Sequence, residues 1–385
     1  MITIGRPYLR EDAERVFLCA PLTIGEQTKE AWFSVEREYG KYLTDDRLDA
    51  FVVGFLTTAM QMKMDIRCEA SVTKRLKYQL NTYLIPALTA NMECYHPITI
   101  HADTTQTPLE NAGAVGTGWT GGVDCTYTLM THLQPKESHV RLTHLVIANN
   151  GALECKDKAG MLRFMVERAR NGVAKEYGLE VVGVDTNLYR LQNEHYLAVA
   201  AYRLPAVALA LQKLFRVFLN SSGPAFSYFT LDAEDSSHYE LLPLSNFETD
   251  ATMFYSAGSK FNRVQKLMAL ADFPLAQKNL HPCIYAEKNC STCFKCSRTM
   301  LALDVVGKLE NFREVFDVDS YYAHKEEYLV AMLVDPDQSL HSKIIEQMRL
   351  RNVTISPAVA QKARMRRAAL KIVQKKMKEE EGQTP

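Results

Sequence analysis

The stretch from Gly113 to His132 constrains the fold of this chain more than any other. An apolar, strand-like run, Gly113–Trp119, gives way to Thr120-Gly121-Gly122-Val123-Asp124-Cys125, and helical patterning follows to His132. A strand that turns directly into a helix leaves backbone N–H groups unpaired at the helix N-terminus, where an anion such as phosphate is favoured. Glycines at 121 and 122 let the main chain approach that anion, because no Cβ intervenes. The Thr120 hydroxyl adds a donor. The spacing and lysine of a Walker loop are absent.

Beyond this turn, strands and helices alternate. A strand is expected over 139–149, with Leu142, Leu145, Val146 and Ile147 as its apolar residues. A long amphipathic helix is expected over 158–177, built on Met161, Leu162, Met165, Val166, Ala169 and Val173. A third strand spans 179–184, with Asp185-Thr186-Asn187 just past its end. One or two helices interrupted at Pro205 fill 196–214, and a fourth strand occupies 215–219. This order predicts an α/β fold: a parallel, doubly wound sheet with right-handed crossovers. Ligands of such sheets bind beyond the carboxyl ends of the strands. The 120–125 loop, Asn149-Asn150, Asp185-Thr186 and Ser221-Ser222 all fall there.

The first 108 residues lack this rhythm and read as an α+β domain. Trp32–Val35 is strand-like, Asp46–Met62 has helical apolar spacing, Leu76, Leu80, Tyr83 and Leu84 suggest a second helix, and Ile98–Ile100 a strand. Residues 102–110 have the composition of a linker. Such a domain covers an active site, faces a protein partner, or simply extends the packing. At the other end, residues 358–378 carry Lys362, Arg364, Arg366, Arg367, Lys371, Lys375, Lys376 and Lys378. They read as an exposed helix or a solvated tail, and RNA contact there lacks interleaved aromatics.

Nine cysteines are distributed unevenly, with Cys283, Cys290, Cys293 and Cys296 crowded together. Two overlapping C-x-x-C spacings and a fourth thiol nearby suit a tetrahedral S₄ site. Zinc fits best, and an iron–sulfur cluster is the competitor. Four protein ligands make a closed, structural centre, with Lys288, Lys295 and Arg298 to offset the thiolate charge. This usage suits a reducing compartment, hence the cytoplasm. The formal charge is zero, 45 residues of each sign, so no global field calls for nucleic acid or membrane. The apolar run 50–62 is too short to span a bilayer, and no secretory signal opens the sequence.

Thr120-Gly121-Gly122-Val123-Asp124-Cys125 resembles the S-G-G-x-D-S loop of the PP-loop ATP pyrophosphatases, which have a HUP-like core, with cysteine in place of the second serine. With the cysteine cluster some 160 residues later, residues 113–305 resemble 7-cyano-7-deazaguanine synthase. Asn262-Arg263-Val264-Gln265-Lys266 and Phe294-Lys295-Cys296-Ser297-Arg298-Thr299-Met300 carry a further likeness to PP-loop proteins with a preceding domain.

The resemblance implies an N-terminal domain at 1–108, a PP-loop core at 109–278, a zinc module at 279–312 and a helical extension at 313–385. It implies ATP, Mg²⁺ and Zn²⁺, with a carboxylate activated by adenylation and converted to an amide or nitrile. Residues 120–125 would hold the nucleotide. Asp124 would orient the turn and hold Mg²⁺, while Arg263 and Lys266, three apart on one helix face, would clamp the phosphates; a solvated helix face is the plain alternative. Ser221, Ser222 and Asp185 would contact substrate. Cys125 reads as a steric replacement, with a nucleophilic role as the alternative. His195, His238 and His281 read as structural, and Asp232, Glu234 and Asp235 as a solvated acidic loop. Expected partners are a small carboxylate, an ammonia or amine donor, a protein reached through the first domain, and a second copy of the chain; nucleic acid is left open. Two rivals stand beside this reading: a sulfur transferase acting on tRNA, and a non-catalytic nucleotide-binding scaffold.

Overall fold

A computed structural model of the chain describes residues 1–153, 155–283 and 285–381. It divides into two compact units, Met1–Thr120 with Asp124–Lys260, and Gly121–Val123 with Phe261–Pro385.

The first unit is α/β and is built on an eleven-stranded sheet. Its early strands are β1 (Ile2–Ile4), β2 (Tyr8–Glu11), β3 (Arg15–Ile24), β4 (Gln27–Glu36) and β5 (Ile66–Cys68). β6 (Val72–Thr73), β7 (Ile100–His101) and β8 (Thr104–Thr105) follow, β6 and β8 forming a separate two-stranded pair. The later strands are β9 (Ala114–Gly118), β10 (His144–Asn149), β11 (Glu180–Thr186), β12 (Phe215–Ser221) and β13 (Met253–Ala257). The sheet order is β13-β12-β9-β10-β11-β4-β3-β1-β5-β7, with β2 on β3. The five strands from β13 to β11 are all parallel.

Residues 1–108, expected as a domain of their own, extend this same sheet. β4 pairs antiparallel with β11, setting Val35 opposite Val184 and Phe33 opposite Thr186. Without it, the apolar β11 would present an open edge. β3 and β4 form a long hairpin whose turn is Gly25-Glu26, with Gly25 at φ +61, a conformation that suits glycine. Trp32–Val35 is thus only the apolar end of a ten-residue strand whose first half is polar. The helix Asp49–Met62 has buried residues on every side, as a helix enclosed by protein does. Phe33 meets its Phe51 edge to face, with ring centroids 5.3 Å apart.

Several other elements differ from expectation. β11 runs to Thr186, so Asp185 and Thr186 close the strand instead of following it. Residues 196–210 form one helix through Pro205. The lost hydrogen bond there is outweighed by burial of most of its residues, among them Tyr202, Val207 and Leu209. β13 is an additional strand, and part of the expected linker is β8. The helix expected over 158–177 runs as Lys158–Ala169 and a π-turn at Arg170–Ala174 before its last turn.

Asp49 is fully buried, and its carboxylate accepts from the Thr73 N–H at 2.8 Å, the Thr73 hydroxyl at 2.5 Å and Gln212 Nε2 at 3.0 Å. Asp49→Ala is expected to strand three buried donors and cost about 3 kcal/mol. Urea unfolding would show this as a lower midpoint at unchanged slope.

The second unit is helical apart from the cysteine-bearing segment, with helices Arg263–Leu270, Pro274–Asn279, Phe294–Val305, Val318–Val334, Ser339–Leu350 and Pro357–Glu381. Arg367 of the last helix donates to the carbonyls of Leu333 and Val334, satisfying the end of Val318–Val334. Val359 and Ala363 are buried, while Met365, Leu370, Ile372 and Val373 are exposed. The side chains of Lys375, Lys376 and Lys378 lie outside the described residues. Among those residues, no helix is long and apolar enough to cross a membrane.

Candidate functional site

The turn after β9 is where the chain passes between the two units. The Trp119 N–H closes the β9–β10 pairing on the Val146 carbonyl at 2.8 Å, and the helix Val123–His132 begins four residues later. Gly121 lies at φ +78, in the left-handed region that a side chain resists. Its carbonyl accepts from the His281 N–H at 2.7 Å, so the turn is held from its own unit. Thr120 Oγ1 lies 3.7 Å from Cys125 Sγ, and Cys125 is buried. Thr120 and Cys125 therefore face one another, as a hydroxyl pair would, which fits a steric replacement better than a solvent-facing nucleophile. Asp124 lies in the first turn of the helix, where a carboxylate is favoured by the helix dipole.

Because β9 to β12 are parallel, their carboxyl ends share one edge. The sheet brings Thr120, Asp124, Cys125, Asp185, Ser221 and Ser222 to that edge. Asp185 Oδ1 accepts from Asn149 Nδ2 at 2.7 Å and from the Thr186 N–H at 2.9 Å. This fixes the Asn149 amide, whose Oδ1 is buried and has no hydrogen-bond donor among the described residues. Ser221 Oγ lies 3.0 Å from Thr117 Oγ1, which also donates to the Leu219 carbonyl at 2.7 Å. Ser222 is buried, donates to the Pro224 carbonyl at 3.0 Å and serves the turn after β12. Arg203 is a residue that sequence patterning missed. It is buried inside an apolar helix, reaches Gln192 Oε1 at 2.9 Å, and is lowered in pKa chiefly by burial. Only an arginine amid apolar helical neighbours could have signalled it.

Arg263 and Lys266 belong to the second unit, as do Gly121–Val123. Their helix starts on a capping box: Asn262 accepts from the Val264 and Gln265 N–H groups, and Gln265 Oε1 accepts from the Asn262 N–H at 3.0 Å. Arg263 is half-buried, whereas Lys266 is wholly buried. A solvated helix face is therefore not the setting of Lys266. A lysine is rarely buried without a charged or polar partner.

In the second unit, Cys283, Cys290, Cys293 and Cys296 place their Sγ atoms within 4.8 Å of one another. Tetrahedral zinc thiolates lie about 3.8 Å apart, given Zn–S bonds near 2.3 Å, so the four fit one metal ion. Cys293 caps the helix Phe294–Val305, and its sulfur accepts from the Cys296 N–H at 3.5 Å. Cys290 Sγ accepts from the Cys293 N–H at 3.3 Å. Burial pushes the Cys290 thiol up, but the N–H groups of Thr292 and Cys293 outweigh it and bring it down to about 6. Asn289 stiffens the approach, donating to the carbonyls of Leu280 and Val315 at 2.8 and 2.9 Å. All nine cysteines are free thiols.

His238 does not stand alone. Its Nδ1 lies 3.0 Å from Asp232 Oδ2, a pairing across six residues that no helical or strand period reveals. His195 precedes the helix Tyr196–Ala210, and the ring of His281 meets the Ala286 carbonyl at 3.1 Å.

No family model, curated protein or solved structure matches the chain.

Proposed function

We propose that the chain is an ATP-dependent enzyme of the PP-loop kind, resembling 7-cyano-7-deazaguanine synthase, that adenylates a carboxylate and converts it to an amide or nitrile. The observation that carries this reading is the turn at 120–125. A left-handed glycine and a helix N-terminus follow a parallel strand at the edge where nucleotides bind in doubly wound sheets.

In this reading the backbone of Gly121, Gly122 and Val123 cradles the phosphates, with the Thr120 hydroxyl beside them. Asp124 holds Mg²⁺, an ion that prefers carboxylate and phosphate oxygens and supplies charge neutralisation. Arg263 and Lys266 stabilise the leaving pyrophosphate. Ser221, Ser222 and Asp185 orient the acid, so its carboxylate oxygen attacks the α-phosphorus and pyrophosphate departs. The cysteine centre holds zinc and is structural.

A panel of heterocyclic acids incubated with ATP, Mg²⁺ and ammonium tests the reading. AMP and pyrophosphate should form in equal amounts with one of the acids, and that acid should appear as its amide or nitrile by mass spectrometry. Alanine at Cys125 or Cys155 should leave this reaction running. Loss of turnover in either folded variant would instead favour sulfur transfer.

A further inference from the structure

The last helix, Pro357–Glu381, changes character along its length. Val359 and Ala363 are buried, and Arg367 is half-buried where it donates to the Leu333 and Val334 carbonyls. These three stand at i, i+4 and i+8 and define the face that packs on Val318–Val334. From Ala368 to Val373 every side chain is exposed. Residues 368–381 carry the helix on by about 21 Å, at 1.5 Å per residue.

The outward side has a pattern of its own. Met365, Ala368, Ala369 and Ile372 follow at i, i+3, i+4 and i+7, so they form one stripe. Met365 lies about 200° round the helix from Ala363 and from Arg367, so the stripe faces away from the packed side. Met365 is 67% exposed and Ile372 59%. Arg364 and Lys371 border the stripe on one flank, Lys362 and Arg366 on the other, and all four are exposed. In a chain of zero formal charge, residues 357–378 hold eight Lys and Arg and no acid.

The possible occupants of this face make different demands. Nucleic acid answers cations with phosphate and gains from aromatic rings that stack on bases. Residues 357–381 contain no aromatic, and phosphate offers nothing to Met365 or Ile372. A second copy of the helix would set cations against cations. A protein groove gains most from large aromatic anchors, whereas the middle of this stripe is alanine. An anionic bilayer meets both features together. Its headgroups attract the cations, and the boundary between headgroups and acyl chains accepts a thin aliphatic stripe with Lys and Arg stems lying along it.

We infer that residues 362–373 form a membrane-surface helix that docks the chain on anionic lipid through the Met365–Ile372 stripe. The inference goes beyond the adenylation reading and does not depend on it. The helix lies in the plane of the headgroups. Attachment is reversible, because the aliphatic area is small and the cations supply most of the attraction.

The test is sedimentation of the full chain with lipid vesicles. It should pellet with vesicles of equal parts phosphatidylglycerol and phosphatidylcholine, stay in solution with phosphatidylcholine alone, and be released as salt is raised. Reversing one flank, Arg364→Glu with Lys371→Glu, should weaken partitioning by at least about 30-fold. Met365→Ser with Ile372→Ser keeps every charge and should weaken it about tenfold. In Ala369→Trp, bromine-labelled acyl chains should quench the added fluorescence, since position 369 is central to the inserted stripe. All these positions are exposed, so hydrogen exchange of the sheet should be unchanged. Equal binding to phosphatidylcholine, no binding to either vesicle, or undiminished binding by the serine variant would overturn the inference. So would a chain that ignores the vesicles and binds single-stranded RNA, which would make this helix a nucleic-acid contact.

Discussion

Exchanging Cys296 for serine is expected to strip the metal from the second unit and unfold the segment around it. Cys296 is fully buried, and its sulfur is one of four that converge within 4.8 Å. Structural zinc sites in small modules contribute about 10–16 kcal/mol of apparent binding energy at neutral pH. That is comparable to the entire stability of a domain, about 5–15 kcal/mol. Among its described residues, the segment from Cys283 to Cys296 has no helix or strand before Phe294, so few backbone bonds would hold it without metal. Metal analysis should give one zinc per wild-type chain and none in the variant. Hydrogen exchange should show the amides of Phe294–Val305 losing protection while those of β9 to β12 keep theirs. Iron instead of zinc would identify a cluster. A metal-free chain with unchanged exchange would remove the centre from the account.

The second large effect is expected at Gly121. Its φ of +78 is one that an L-residue adopts at a cost of about 1–2 kcal/mol, and a β-branched side chain resists it further. Gly121→Val should therefore leave the chain folded, with a modest loss of thermal stability. In the proposed reading, the backbone donors that follow Gly121 would be turned away from the phosphates, and a Cβ would stand in the path of the nucleotide. Losing such pre-set donors costs about 10²- to 10³-fold in rate. Pyrophosphate release should fall by that factor while zinc content and the hydrogen exchange of the sheet remain normal. A variant that kept wild-type release would show that the turn serves the fold alone.

Some elements are legible in local patterning and others are concealed, for physical reasons. β9, β10 and β12 were legible because strands buried on both faces read as apolar runs, and the helix at 123 because glycines and an acid punctuate its start. The joining of residues 1–108 to the sheet was not legible. The β4–β11 pairing is antiparallel and links positions some 150 residues apart, which local periodicity does not encode. Pro205 suggested a break because the rule is local, whereas burial of the whole helix is tertiary. The convergence of the four cysteines was legible, since the C-x-x-C spacing itself brings thiols together on one turn. At the candidate site, the strand-end residues could be placed once the parallel order was read. The partnership of His238 with Asp232 and the burial of Lys266 and of Asn149 Oδ1 depend on how loops fold back, and no sequence period reports them.

The most direct test follows the oxygen. A candidate acid labelled with oxygen-18 in its carboxylate is incubated with the chain, ATP, Mg²⁺ and ammonium, and the AMP is analysed by mass spectrometry. Adenylation predicts that each AMP carries one oxygen-18 atom from the acid. Unlabelled AMP, or ADP and phosphate in its place, would contradict it.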